Sequence, residues 1–359
     1  MKKILPVLLS VMLIICSVPC ISALSYDGFV YTDNGDGTCT VTGCNVFKNE
    51  IVVPAKIKGL TVTGIGPKTF QWKNSAEKVT IPDTVTSIGE RAFDDCKNLK
   101  TVILGNGVKT IGNYAFSKCK SLPSINLKNV TDLGENVFSA CESLASVNCG
   151  SNLTTIGRNA FSDCAALTSV TFSKKLTSIE DYAFSKCIGL TSLKFPDSLR
   201  TIGNSAFWGC KSLTSLTFGK GSLRIGDYAF ENCIALTEVT IPRTVFYVGT
   251  NAFAFREDNE IAVTHTVKIK CSKGSAAEKY CQETGAPIQY ITESYSTTVP
   301  GDADSNGIIT LKDAQLVLRY SAGIETPSQC NIFTGDVNEN GRFDPEDARI
   351  VLKSAAGIK

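Results

Sequence analysis

Histidine is nearly missing from this sequence: its 359 residues include one, His265, with two methionines and two tryptophans. That scarcity removes most routes to a hydrolase, because a serine or cysteine nucleophile needs a general base beside it and imidazole is the commonest one. His265 lies in THTVKIK, alternating with Val267 and Ile269, and reads as an ordinary strand residue. A surplus of either charge is also lacking. Thirty-six Lys and Arg against 34 Asp and Glu leave +2, so no global field favours nucleic acid or an anionic membrane. The chain has no Gly-rich phosphate loop, zinc-ligand spacing or nucleophile elbow, and no carboxylate pair for glycoside hydrolysis stands out from its scattered acids.

Long apolar runs are absent except at the N-terminus. There Lys2 and Lys3 precede an apolar stretch from Ile4 to about Val18, followed by small residues near Ser22, Ala23 and Ser25. This order predicts a secretion signal over residues 1–24, with the cleavage point left open. The run is shorter than the ~20 residues a bilayer requires, and Pro6 interrupts it, so no span is expected in the mature form. Fifteen cysteines would suit a disulfide scaffold, but removing Cys16 and Cys20 with the leader leaves an odd number, and seven recur in a repeat.

That repeat is the dominant feature. RAFDDC, YAFSKC, NVFSAC, NAFSDC, YAFSKC, SAFWGC and YAFENC place phenylalanines at 93, 116, 138, 161, 184, 207 and 230, every step being 23 except one of 22. Phe70 and Phe253 extend the series to nine turns. A period of this length predicts a solenoid. Within a turn, Ala92, Phe93, Cys96 and Leu99 have the spacing of a short helical turn, and Val102 and Leu104 alternate like a strand. One strand per turn, stacked at ~4.8 Å, would bury a continuous apolar stripe roughly 43 Å long. Glycine follows the isoleucine-like position in nearly every turn, as expected where a side chain would clash, Glu180 being the exception.

The pattern I-G-x-x-A-F-x-x-C-x-x-L-x-x-V-x-L resembles the BspA-like, or Treponema-type, leucine-rich repeat. The resemblance implies a secreted or surface protein that binds other proteins or surfaces, with no catalytic residues to carry over. Lys73 and Arg256 replace the cysteine in the first and last copies, as expected of terminal turns. Residues 25–45 read as a capping hairpin around Asp33–Gly37, and residues 46–291 as the solenoid, ending in a strand, helix, strand cap. The ladder cysteines (96, 119, 141, 164, 187, 210 and 233) read as buried thiols, with Cys149 joining the core; whether Cys39 pairs with Cys44, or Cys271 with Cys281, stays open. Outward strand positions carry hydroxyls, such as Thr168, Ser169 and Thr171. Tyr114, Tyr182, Trp208 and Tyr228 are aromatics at non-core positions and candidate ligand anchors.

The hydroxyl-rich segment 292–300 reads as a linker. Beyond it, in residues 301–359, comes a duplicated motif. Asp302, Asp304, Asn306, Gly307 and Asp313 hold positions 1, 3, 5, 6 and 12 of a calcium loop, and Asp336, Asn338, Asn340, Gly341 and Asp347 repeat them. Ile308 and Arg342 at position 7 would offer backbone carbonyls, and Thr310 and Asp344 a water. The following helices present Leu316, Val317, Tyr320 and Ile324, and Ile350, Val351 and Ile358, a core too small to stand without metal.

Aspartate at position 12, with no helix before either loop, makes this tail similar to dockerins. The resemblance implies a small all-α fold holding two Ca2+, a cohesin module of a scaffoldin as partner, and delivery to a cell-surface cellulosome. It also implies recognition through Leu311, Lys312 and Arg319 in one half and Pro345, Glu346 and Lys353 in the other. The halves differ in charge there, so symmetric two-way docking is not expected. The expectation is therefore a secreted, non-catalytic subunit, monomeric apart from its scaffold, in polysaccharide degradation. The alternatives are an enzyme with a cryptic site in the solenoid, or a surface adhesin or protease inhibitor.

Overall fold

The computed structural model describes residues 24–256, 263–291, 303, 311–322, 337 and 344–355. It is a β-solenoid of about eleven turns with few helices. The nine phenylalanines form one continuous column: neighbouring ring centroids lie 4.7 to 5.4 Å apart, with planes within 11° of parallel. The two widest steps, 5.4 and 5.3 Å, flank Phe138, beside the one 22-residue step. Strands outside this column extend the parallel stacking at both ends: Thr38–Cys44 pairs with Leu60–Ile65, and Lys268–Cys271 joins Glu238–Thr240 to Ile288–Tyr290.

Each turn contributes two strands, where the sequence pattern suggested one. Three-residue strands such as Thr101–Ile103 and Ser124–Asn126 bury their central residue and expose its neighbours. Two-residue strands such as Ser87–Ile88 and Thr110–Ile111 form a second parallel sheet just before the glycine. Two residues are too few to show alternation, which is why this sheet escapes a reading by periodicity. The glycine lets the turns close up: a Cβ on Gly89 would lie 2.7 Å from the Pro67 backbone nitrogen of the preceding turn. At Glu180, the exception, the carboxylate accepts the Arg158 N–H at 3.1 Å.

Between the sheets, the expected short helical turn takes the form of successive i→i−3 turns. Asp94 N–H donates to the Arg91 carbonyl, Cys96 to Phe93 and Leu99 to Cys96. Arg91 and Asp95 hold φ of 55° and 59°, so the path never settles into a helix. The freed backbone groups bond between turns instead, Phe93 N–H donating to the Ala115 carbonyl at 2.7 Å.

At the N-terminal end the expected hairpin is part of a three-stranded antiparallel meander, Leu24–Tyr26, Phe29–Asp33 and Thr38–Cys44. At the other end, helix α1 (Ala276–Thr284) closes the column. Ser275 caps it by accepting the Glu278 N–H, and Gly285 ends it at φ 75°. The Tyr280 hydroxyl accepts the Phe253 N–H, and its ring meets Phe253 edge-on at 6.1 Å.

In the C-terminal part, helices α2 (Leu311–Ser321) and α3 (Pro345–Ala355) pack together through Ala314, Val317, Ala348 and Val351, with Ala303 beside them. Leu316 and Tyr320 sit at the rim of this cluster. Ile324 and Ile358 lie outside the described residues. No helix among the described residues is long and apolar enough to cross a membrane.

Candidate functional site

The seven ladder thiols are buried and make one repeated contact. Each Sγ donates to the carbonyl of the phenylalanine in the preceding turn, from Cys96 on Phe70 at 2.9 Å to Cys233 on Phe207 at 3.3 Å. The ladder therefore ties turn to turn. Burial pushes the Cys96 and Cys164 thiols up to about 12 and holds Cys119, Cys141, Cys187 and Cys233 well above the ordinary thiol range. They stay protonated at neutral pH and are unsuited to nucleophilic or metal chemistry. Lys73, standing where interior turns have cysteine, sends its Nζ to the Cys44 carbonyl at 2.9 Å. Neither Cys39 with Cys44 nor Cys271 with Cys281 forms a disulfide.

The four candidate aromatics do not come together. Tyr114, Tyr182 and Tyr228 share one column at φ 57°, but they stand three turns and two turns apart. Arg91 covers the Tyr114 ring at 4.8 Å. Trp208 occupies a different column, where its Nε1 donates to Glu231 and Lys186 lies over its ring at 5.6 Å. Tyr182 is the most open, 43% exposed. A second aromatic column, Phe172, Phe195 and Phe218, stacks at 5.6 Å per step along the strand ends; three consecutive phenylalanines at one repeat position carry its signal in the sequence.

A shallow cleft of about 310 Å3 opens where Asp132–Leu133 and Thr155–Ile156 fail to pair, the single break in the run of short strands. Its carboxylate is Asp132, which accepts the Thr131 hydroxyl at 2.7 Å. His265 stands far along the chain, its ring edge-on to Tyr280 at 6.1 Å.

In the C-terminal part, Asp313 and Asp347, the position-12 aspartates, are both fully buried. Asp347 Oδ1 accepts the Val337 N–H at 3.1 Å and Oδ2 accepts the Asp344 N–H at 3.0 Å, so the residue after loop position 1 and position 9 are both drawn onto position 12. Asp302, Asp304, Asn306, Ile308, Thr310, Asp336, Asn338, Asn340 and Arg342 lie outside the described residues. Among the described residues no three His, Cys, Asp or Glu side chains gather to hold an ion. The donor chemistry fits calcium: carboxylate oxygens, held by backbone N–H groups, suit a hard cation.

Lys312, Arg319, Pro345, Glu346 and Lys353 are all exposed. Lys312 and Arg319, like Glu346 and Lys353, are seven apart, so each pair shares a helix face. Glu346 is ion-paired with Arg349. Leu318 and Leu352, 48% and 45% exposed, stand next to Arg319 and Lys353 at matching places in the two halves; sequence reading missed them, although the duplication points to both.

A parallel solenoid of short leucine-rich turns, in a chain that also carries a paired-helix unit, defines a modular recognition protein. Residues 63–189 and 154–273 match the BspA type Leucine rich repeat region, in six copies, and residues 300–354 match the Dockerin type I domain. The chain belongs to the BspA-type leucine-rich repeat family and carries a dockerin. Among solved structures it is similar to a leucine rich cell surface protein from Faecalibacterium prausnitzii A2-165, at 25% identity and a TM-score of 0.56, over 76% of this chain and 95% of that one. It is also similar to a leucine rich repeat protein from T. pallidum, at 25% identity and a TM-score of 0.45, over 59% of this chain and 90% of that one. No curated protein matches it. The dockerin implies cohesin binding in a cellulosome-type role, and the repeats imply protein interaction.

Proposed function

We propose that the protein is a secreted, non-catalytic subunit that a calcium-loaded dockerin fastens to a cohesin, leaving the solenoid to hold a protein or plant-surface ligand. The observation that carries this reading is the full burial of Asp313 and Asp347 at the starts of two packed helices. Hydrogen bonds alone offset a buried carboxylate less well than an opposite charge does, and a cation shared with positions 1, 3 and 5 would supply that charge to each of them. In this reading, Asp302, Asp304, Asn306, Ile308, Thr310 and Asp313 hold one ion. Asp336, Asn338, Asn340, Arg342, Asp344 and Asp347 hold the other.

Cohesin would meet the faces bearing Leu311, Lys312 and Arg319, or Pro345, Glu346 and Lys353, with Leu318 or Leu352 as the apolar anchor. Because Lys312 is matched by Glu346, the two faces should prefer different cohesins. On the solenoid, Tyr182 and the exposed hydroxyl strip are the candidate ligand surface. The N-terminal leader 1–24 and linker 292–300 complete the arrangement. Binding to a panel of immobilised cohesins tests it. Wild type should bind one of them in calcium and lose it in chelator, and Asp302→Ala with Asp336→Ala should not bind. Undiminished binding by that variant in chelator refutes the calcium coupling.

A further inference from the structure

Charge is nearly balanced over the chain, yet one edge of the solenoid is not balanced. Each turn passes from the three-residue strand to the two-residue strand through a corner loop, and successive corners stack. Lys220 N–H donates to Asp197 Oδ1 at 2.8 Å and Leu223 N–H to the Thr244 carbonyl at 3.0 Å. The short strands beside them run in register through Ser178, Thr201, Arg224 and Tyr247. Four consecutive corners, about 15 Å from first to last at strand spacing, carry Lys174 and Lys175, then Arg200, then Lys220, then Arg243, with Arg224 on the short strand that follows Lys220. Asp197 is the single carboxylate in these loops.

Arg200 has the Asp197 carboxylate near it, and the other cations here form no ion pair among the described residues. Every ion pair among the described residues of the solenoid lies elsewhere on the turn, as in Lys97–Asp95, Lys120–Glu142, Lys186–Asp163 and Lys270–Glu238. Arg200 spends its guanidinium on the Asp197 and Leu199 carbonyls, and Lys175 reaches Asn152 Oδ1 of the preceding turn at 3.1 Å. The Arg224 guanidinium carbon lies over the Tyr247 ring, 4.6 Å from its centroid, a cation–π contact that holds the group there. Lys174 and Lys220 are exposed, and Arg243 half-buried.

We propose that this edge binds an extended acidic polysaccharide whose uronate carboxylates pair with Lys174, Lys220, Arg224 and Arg243. Like-charged side chains at successive turns are complementary to a chain with regularly repeated anions, and ammonium and guanidinium groups suit carboxylates. A protein partner needs apolar or aromatic anchors at its centre. None of the exposed large hydrophobic residues lies in these corner loops. Single-stranded nucleic acid needs open aromatic platforms, and Tyr247 is already covered by Arg224. The proposal deepens the ligand-binding half of the function above and rests on it, while cohesin docking is independent.

The test is biolayer interferometry on immobilised polygalacturonate, with its methyl ester, duplex DNA and polyglutamate as parallel surfaces and cohesin binding followed separately. The protein should bind polygalacturonate but not the methyl ester, and binding should fall steeply between about 50 and 200 mM salt. Lys174→Glu with Lys220→Glu and Arg243→Glu should weaken it by roughly tenfold or more. Lys97→Glu with Lys120→Glu and Lys211→Glu, on the far arc, should leave it within about twofold. Single Lys174→Glu and Lys220→Glu variants, at exposed positions, should each show part of the loss if the triple variant misfolds. Equal weakening by both sets, no binding of wild type, or tighter binding to DNA or polyglutamate overturns the proposal. Retained cohesin binding alongside any of these leaves the docking function standing.

Discussion

The solenoid and the C-terminal helix pair both bury polar groups, and they do so in opposite ways. In the solenoid the buried groups are neutral thiols, each supplied with a carbonyl by the turn before it. In the helix pair they are the carboxylic side chains of Asp313 and Asp347, in a cluster of three alanines and two valines. A thiol costs little to bury, whereas a carboxylate costs much unless a charge joins it. The first region needs nothing beyond its own carbonyls. In the second, Asp347 accepts two backbone N–H groups, the apolar core is small, and in the proposed function a cation adds the opposite charge.

Metal removal should separate the two regions most widely. In chelator, hydrogen exchange along α2 and α3 should rise to unprotected rates while the strands of the solenoid keep their protection; equal loss in both regions would erase the contrast. Next comes Phe161→Ala, which removes one ring from the middle of the column and should cost about 3–5 kcal/mol of solenoid stability. Denaturant unfolding should show it with no change in cohesin affinity.

Alkaline pH should also strike the solenoid selectively. The ladder thiols have folded-state pKa values raised by burial, to about 12 at Cys96 and Cys164 from an ordinary value near 9. Above that ordinary value the unfolded chain loses protons that the folded chain retains. Stability is therefore full below about pH 9 and falls as pH climbs towards 12. A thermal midpoint that holds steady between pH 8 and pH 11, taken as an approximate span of this linkage, would contradict the burial. The smallest effect is expected from Cys141→Ala, which deletes one thiol bond to the Phe116 carbonyl and leaves a small void, for about 1–2 kcal/mol. In native protein the ladder thiols should resist alkylation until denaturant is added.

Much of the solenoid was legible because repetition multiplies a weak signal. The phenylalanine column, the burial of its cysteines and the polar substitutes Lys73 and Arg256 could be read from spacing alone. The two-residue strands could not, since Thr110–Ile111 is too short to show a period. The break between Leu133 and Thr155 lies one turn beyond the short step and depends on how neighbouring turns stack. In the candidate site, the loop spacing fixed Asp313 and Asp347 as position 12, but Ala314 and Ala348 were overlooked as the seat of the core. Alanine has little hydrophobic signal, and its value there is to let two helices approach closely.

By itself, the sequence determined the period and the family and proposed the residues of both calcium-type loops, because covalent spacing is enough to state which side chains a turn can place together. Only the tertiary structure decided which of them have partners. It gave each ladder thiol the carbonyl of the turn before it, gave Lys120 the Glu142 carboxylate of the next turn, and left Lys174, Lys220 and Arg243 without one among the described residues, since a charge finds its neighbour across turns that are distant in the chain and about 5 Å apart in space.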